Sequence, residues 1–243
     1  ELGSTAKKSL GQNFLINDRV IDSILGRTKE KIELYPNGQI VEVGPGLGSL
    51  TEHLIQIGRD SKKKITLVEL DKTFADHWRG QHCDVVEGDA LRLDWANVIP
   101  GRGHTLVSNL PYQISSSLVI DQSIEFEVFA SMVLMFQKEV AQRITAKPKT
   151  SEYGILSVIA QSFWDIAKVT DASQNDFWPA PKVSSRVLCF QRKLELSIGK
   201  SIDGQVVNQQ TSGKQKKDFL SFVKRAFSQR RKLLKKNLGS LFN

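Results

Sequence analysis

The stretch Asn109-Leu110-Pro111-Tyr112 follows an apolar run, Thr105-Leu106-Val107-Ser108, and precedes the polar segment Gln113-Ile114-Ser115-Ser116-Ser117. A buried strand that ends in an amide, a proline-stiffened turn and an aromatic ring places acceptors and a flat stacking surface at one spot. Those parts suit a planar, amino-bearing base held edge-on while its amine is attacked. Asn109, Leu110 and Tyr112 are therefore the candidate catalytic residues.

Three further features have types and spacing that bind ligands. Gly44-Pro45-Gly46-Leu47-Gly48 lies directly after the apolar segment Gln39-Ile40-Val41-Glu42-Val43. Its glycines permit close backbone approach, and the helix start that follows offers free N–H groups to a carboxylate or a phosphate. The spacing is Gly-x-Gly-x-Gly rather than the Gly-x-Gly-x-x-Gly of dinucleotide sites, which argues against a nicotinamide cofactor. The carboxylate of a methionine moiety would suit this loop, although a tight strand-to-helix turn also needs glycine for steric reasons alone. Glu69 ends a second apolar run 25 positions beyond Gly44 and can accept both hydroxyls of a ribose. Asp89 follows a third run and can accept from an adenine amine, while a plain Gly88-Asp89 turn is the bland alternative. All three lie at strand C-termini, the edge where open α/β sheets bind ligands.

The elements that must position these groups follow from periodicity. Asn17-Asp18 caps a helix carrying Val20, Ile21, Ile24 and Leu25. Strands are expected at 39–43, 64–69, within 84–91 together with its exit loop, and at 105–108, 132–136 and 186–190. Ser49-Leu50-Thr51-Glu52 fits a capping box for the helix of Leu50, Leu54 and Ile57. Helices are expected at Lys138–Arg143 and around Ile155–Ile159, and Asp71 offers a further cap. Phe177-Trp178-Pro179-Ala180-Pro181-Lys182-Val183 is a rigid aromatic-proline loop. Its aromatics are either stacking platforms for an extruded base or core residues, with one of the two expected in the core.

Charge is unevenly divided. Residues 214–243 carry ten Lys and Arg against Asp218 alone, whereas the preceding 213 residues carry 24 basic and 25 acidic side chains. A basic excess confined to one end suggests phosphate neutralisation, or else a solubilising tail. Residues 194–213 lose hydrophobic rhythm and read as a linker. Beyond it Phe219, Phe222, Val223, Ala226 and Phe227 form the apolar stripe of a basic helix that docks on something. The longest apolar run, Phe129–Phe136, is too short to span a bilayer, so no membrane partner is expected and a cytoplasmic or organelle-matrix location is. Cys83, Cys189 and the histidines 53, 77, 82 and 104 lack ligand spacing, and no metal site is expected.

Gln12-Asn13-Phe14-Leu15, Glu42-Val43-Gly44-Pro45-Gly46, Glu69-Leu70-Asp71, Gly88-Asp89-Ala90, Asn109-Leu110-Pro111-Tyr112, Gln137-Lys138-Glu139-Val140-Ala141 and Phe177-x-Pro179-x-Pro181-Lys182-Val183 together resemble the KsgA-type rRNA adenine N6,N6-dimethyltransferases. Ala226-Phe227-Ser228-Gln229-Arg230-Arg231-Lys232 with Asn237-Leu238 is similar to that family's C-terminal domain. Ser184 stands where the family commonly has Asp.

The resemblance implies an α/β, Rossmann-like class I methyltransferase sheet, mostly parallel with one antiparallel strand near an edge, and a small C-terminal α-helical domain. The expected division is a methyltransferase domain at 1–192, a linker at 193–213 and a basic helical domain at 214–243, incomplete relative to the family. The implied donor is S-adenosyl-L-methionine. Asn13 and Leu15 would close over it, Gly44 and Gly46 admit its methionine part, Glu69 holds its ribose, Asp89 with Ala90 faces its adenine, and Asn109 borders it. Tyr112 and Phe177 would sandwich the target base. Arg230, Arg231, Lys232, Lys235 and Lys236 would bind RNA. The expected reaction is N6,N6-dimethylation of adenosines in small-subunit rRNA of a pre-ribosomal particle, by a cytoplasmic monomer. Three alternatives remain at this point: a non-catalytic RNA-binding assembly or transcription-associated factor, a monomethylating antibiotic-resistance-type enzyme, and an NAD-dependent oxidoreductase.

Overall fold

A computed structural model describes residues 13–124, 127–193, 213–229, 232 and 234–239. The linker expected at 193–213 lies almost wholly outside these residues, as do Gln12, Arg230 and Arg231.

A seven-stranded sheet forms the centre. Its strands are β2 (Ile40–Val43), β3 (Ile65–Glu69), β4 (Asp84–Glu87), β5 (His104–Ser108), β6 (Phe129–Gln137), β7 (Trp164–Ala172) and β9 (Ser185–Arg192). The order is β4-β3-β2-β5-β6-β9-β7. Pairings from β4 through to β6 are parallel, whereas β9 runs antiparallel to both β6 and β7. One antiparallel strand inserted next to an edge is the arrangement that the family resemblance implies. A two-stranded ribbon, β1 (Phe14–Leu15) with β8 (Phe177–Trp178), lies apart from it.

Helices cover both faces, so β2, β3 and β5 are buried throughout. One hydrophobic cluster joins α1 (Asp18–Leu34) and α2 (Thr51–Ser61) to the sheet. The other joins α5 (Tyr112–Ile124), α6 (Lys138–Ile144) and α7 (Ile155–Phe163) to the opposite face. Short helices α3 (Lys72–Trp78) and α4 (Trp95–Val98) complete the crossovers. The Asn17 side chain caps α1 by accepting from the Val20 amide, and Asp71 caps α3 by accepting from Thr73.

Some local expectations need correction. Ser49 does not cap α2: the helix begins after Leu50, in αR conformation, with no side-chain cap bond. The turn is fixed instead from outside. Trp78 Nε1 donates to Gly46 O at 3.0 Å, and Gly48, at φ +95°, faces the Trp78 ring so closely that a Cβ would come within 2.5 Å of it. The polar segment after Tyr112 is a helix: Leu118 and Val119 enter the core, and Ser115 and Ser123 satisfy their hydroxyls on the carbonyls of Tyr112 and Val119 instead of leaving them unpaired. Strand β7 carries no apolar alternation in sequence and forms the sheet edge.

The basic helix α8 (Gly213–Ala226) docks on the main body. Phe219 meets the Phe163 ring edge-on at 6.2 Å, Tyr153 meets Phe227 at 6.1 Å, and Val223 joins the core. Lys216 is 3 % exposed and pairs with Glu127, which also meets Arg102 at 3.1 Å. A short α9 (Leu234–Leu238) follows, with the Asn237 side chain donating to Ala226 O. No described helix is long and apolar enough to cross a membrane.

Candidate active site

The C-terminal ends of β2, β3, β4 and β5 open on one cavity of about 290 Å³, lined by Asn13, Leu15, Gly44, Gly46, Glu69, Asp89, Ala90, Asn109, Leu110 and Tyr112. Every residue expected to serve the cofactor or catalysis lines it, whereas Phe177, expected to stack on the target base, does not.

At one side, the β2–α2 turn presents backbone instead of side chains. Gly44 and Gly46 have φ of +67° and +51°, conformations disfavoured for other residues. A Cβ on Gly46 would approach the Phe14 ring to 3.0 Å. Glu69, 6 % exposed at the end of β3, accepts from the Gly46 amide at 3.2 Å through Oε2 and from the Asp71 amide at 2.8 Å through Oε1. Burial raises the Glu69 carboxyl above its usual range, while these backbone bonds oppose the rise. The two bonds fix the carboxylate's orientation and leave lone pairs on both oxygens. Asp89 closes the loop after β4: its Oδ1 accepts from the Leu91 amide at 3.0 Å, and Arg92 stands 3.5 Å from Oδ2.

At the other side, β5 delivers the Asn109 segment. Asn109 Nδ2 donates to the backbone carbonyl of Asn13 at 3.0 Å, so its Oδ1 is the acceptor that remains. Ser108, just before it, donates to Val43 O and ties β5 to the glycine turn. Leu110 is 2 % exposed, and Tyr112 opens α5. The Tyr112 hydroxyl shares a 2.7 Å hydrogen bond with Ser185 Oγ. Burial raises the tyrosine further above neutrality, with the Ser185 bond acting the other way.

Phe177 is the correction. It is 3 % exposed, packed in a hydrophobic cluster and paired with Leu15, and it does not line the cavity. Strand alternation in the ribbon sends Phe177 to the core and turns Trp178, 55 % exposed, outward. Of the basic set, Lys232, Lys235 and Lys236 are exposed. Arg230 and Arg231 lie outside the described residues.

Several contributors were not singled out in the sequence. Phe14 lines the cavity and meets Phe74 edge-on at 6.2 Å, Trp78 fixes the glycine turn, and Ser185 holds Tyr112. These are tertiary partners from distant segments, and no local pattern marks them. Glu42, given no role from the sequence, is 2 % exposed, and burial pushes its carboxyl up to about 8, with the nearby Thr51 hydroxyl acting the other way.

The residues fit S-adenosylmethionine. The lining combines a glycine turn that presents backbone, the oriented carboxylate of Glu69, and a second carboxylate, Asp89, next to Ala90. Comparison with known proteins agrees. A model of the ribosomal RNA adenine dimethylase family matches residues 3–243. The small subunit rRNA methyltransferase A of Bdellovibrio bacteriovorus is 49 % identical over 242 residues, covering 100 % of this chain and 80 % of that protein. The same-named protein of Desulfitobacterium hafniense is 40 % identical over 241 residues, covering 98 % of this chain and 79 % of its own length. Among solved structures, a dimethyladenosine transferase from Plasmodium falciparum superposes with a TM-score of 0.69 at 24 % identity, over 93 % of this chain and 74 % of that one. The 23S rRNA methyltransferase ErmE superposes at 0.65, over 94 % and 84 %. The glycine turn, the two carboxylates and the Asn109 segment thus sit together in a match that runs almost from end to end, and the chain belongs to the ribosomal RNA adenine dimethylase family.

Proposed function

We propose that this protein transfers methyl groups from S-adenosyl-L-methionine to N6 of adenosines in small-subunit rRNA, giving N6,N6-dimethyladenosine. The observation that carries the reading is the Asn109 amide. Its Nδ2 is committed to Asn13 O, so Oδ1 stands as an acceptor at the end of the same cavity that holds Glu69 and Asp89.

When bound, S-adenosylmethionine supplies an electrophilic methyl group on a sulfonium with a neutral thioether as leaving group. The chain must then align a nucleophile and make its lone pair available. An adenine N6 lone pair is delocalised into the ring. Asn109 Oδ1 and the Leu110 carbonyl accept the amine hydrogens, favour a tetrahedral nitrogen and stabilise the positive charge that develops on it. The methylated nitrogen loses its proton to solvent, so no strong general base is required. Tyr112, neutral and held by Ser185, offers a stacking face for the extruded base. Glu69 accepts the ribose hydroxyls, Asp89 with Ala90 faces the cofactor adenine, Gly44 and Gly46 admit the methionine part, and Asn13 and Leu15 cover it.

The substrate is a pre-ribosomal particle, met in the cytoplasm by a monomer whose basic C-terminal domain (214–243) grips RNA apart from the methyltransferase domain (1–192). The glycine spacing speaks against an NAD-dependent enzyme, and the match to small-subunit methyltransferases supports dimethylation over the ErmE-like alternative. Incubation with labelled S-adenosylmethionine and undermethylated small ribosomal subunits tests the reading. Label in N6,N6-dimethyladenosine is expected. Neither label nor cofactor binding would favour the non-catalytic assembly factor, whereas cofactor binding without transfer would point to a wrong RNA substrate.

A further inference from the structure

The protein has four tryptophans, and Trp78, Trp95 and Trp164 are each 1 % exposed while Trp178 is 55 % exposed. Strand alternation turns this ring outward, and its place next to the cavity gives the exposed ring a functional bearing. In the β1–β8 ribbon Trp178 pairs with Phe14, which lines the cavity, and opposite residues of an antiparallel pair share a face. Seven positions on, Ser185 holds the hydroxyl of Tyr112. The segment 178–185 is therefore tied at both ends to residues that line the cavity, Phe14 and Tyr112, and borders it as a rim outside the lining itself. Lys182 and Val183 on it are exposed, and Gln174 donates to the Lys182 carbonyl, fixing the loop's path. Behind the segment, the Lys138 amide donates to Ser184 O at 2.9 Å, and Lys138, Lys168 and Arg186 surround the single carboxylate of Asp171. The rim therefore combines a flat aromatic face with excess positive charge, the combination that binds single-stranded nucleic acid.

We infer that Trp178 stacks on a nucleotide next to the extruded adenosine, with Lys182 neutralising an adjoining phosphate, so that this rim holds the RNA strand while Tyr112 takes the target base. The inference rests on the adenosine-methylating reading above and assigns the rim a part in RNA recognition, separate from cofactor binding and from transfer. Stacking tolerates any base, so Trp178 sets affinity for an unpaired strand more than its sequence.

The test is steady-state methylation of undermethylated small ribosomal subunits by the full chain with S-adenosylmethionine. Trp178→Ala should raise KM for the subunits at least about fivefold, the lower end of a base-stacking contribution. Its kcat and its cofactor affinity should stay at the original values. Trp178→Phe should recover most of the loss, since a ring is restored. In parallel, acrylamide should quench the emission of the one exposed tryptophan in the free protein, and a protein-free small-subunit rRNA transcript should protect it. An unchanged KM in Trp178→Ala would overturn the inference. So would equal damage in Trp178→Phe together with weakened cofactor binding, which would mark Trp178 as structural. Protection from acrylamide before RNA is added would show that this chain's own residues, or a second copy, cover the ring, and would overturn it too. Failure of the unaltered protein to methylate would strike the parent reading instead.

Discussion

At the residue scale, the site depends on side chains whose orientation is set by backbone partners. Asn109 needs both ends of its amide: one to hold Asn13 O, the other to face the target amine. Asn109→Asp would set a carboxylate against that carbonyl, and we expect it to lose transfer as fully as an alanine does. The Glu69→Gln amide could accept one hydrogen bond from Gly46 or Asp71 but not both in the present geometry. Calorimetry should show its affinity for S-adenosylmethionine lowered by about tenfold or more, on the order of 1.4 kcal/mol, and an unchanged affinity would remove Glu69 from the cofactor site. Glu42 gives a pH signature. Its folded carboxyl, at about 8, lies above the ordinary value of 4.5, so the folded chain holds the proton more tightly than the unfolded chain. The Glu42 contribution to stability is therefore full below about 4.5 and is lost as pH rises through about 8. Glu42→Gln should unfold close to the temperature of the original protein at pH 4 and at a higher one at pH 9. Glu69, Asp89 and Asn109 were legible because polar groups at strand ends interrupt apolar runs, whereas Glu42 lies inside β2. Phe177 was misplaced because two adjacent aromatics in a strand look alike in sequence, and only pairing with β1 decides which one faces the core.

At the element scale, the glycine turn and the docked helix α8 matter most. Gly48→Ala would place a methyl group 2.5 Å from the Trp78 ring at a backbone angle that disfavours it, forcing the ring off Gly46 O. We expect a loss of about 1–3 kcal/mol in unfolding free energy, with weaker cofactor binding, measurable by denaturant titration and calorimetry. Lys216→Ala removes the buried cation that ties α8 to Glu127, although Arg102 remains beside that carboxylate. About 1–3 kcal/mol of docking free energy should be lost, read as faster amide exchange in 213–226 while the sheet stays protected. The parallel strands were readable from their apolar runs. Strand β7 was not, because Asp165, Lys168 and Asp171 occupy an edge strand whose register shifts between Lys168 and Thr170. Charges and irregularity protect such an edge from pairing and also erase its pattern. The missing cap on α2 shares that origin, since Trp78 fixes the turn from 32 positions away.

At the scale of the whole molecule, charge and chemistry are divided along the chain. The cavity draws on residues 13–114, while the basic excess lies in 214–243. Replacing Lys232, Lys235 and Lys236 with alanine should weaken RNA binding and reduce the dependence of log affinity on log salt by about one for each phosphate no longer neutralised. An unchanged slope would place the RNA grip elsewhere. Docking of α8 beside α7 was foreseeable only as a helix with an apolar stripe in need of a partner, because the partner surface comes from segments far away in sequence. The central claim is that the Asn109 amide activates the target nitrogen. It is tested most directly by single-turnover methyl transfer to undermethylated small subunits, comparing the original protein with Asn109→Ala at saturating S-adenosylmethionine. The account predicts a folded variant whose transfer rate falls by about a hundredfold or more, the usual cost of removing one charge-stabilising group. Transfer at the original rate would contradict it.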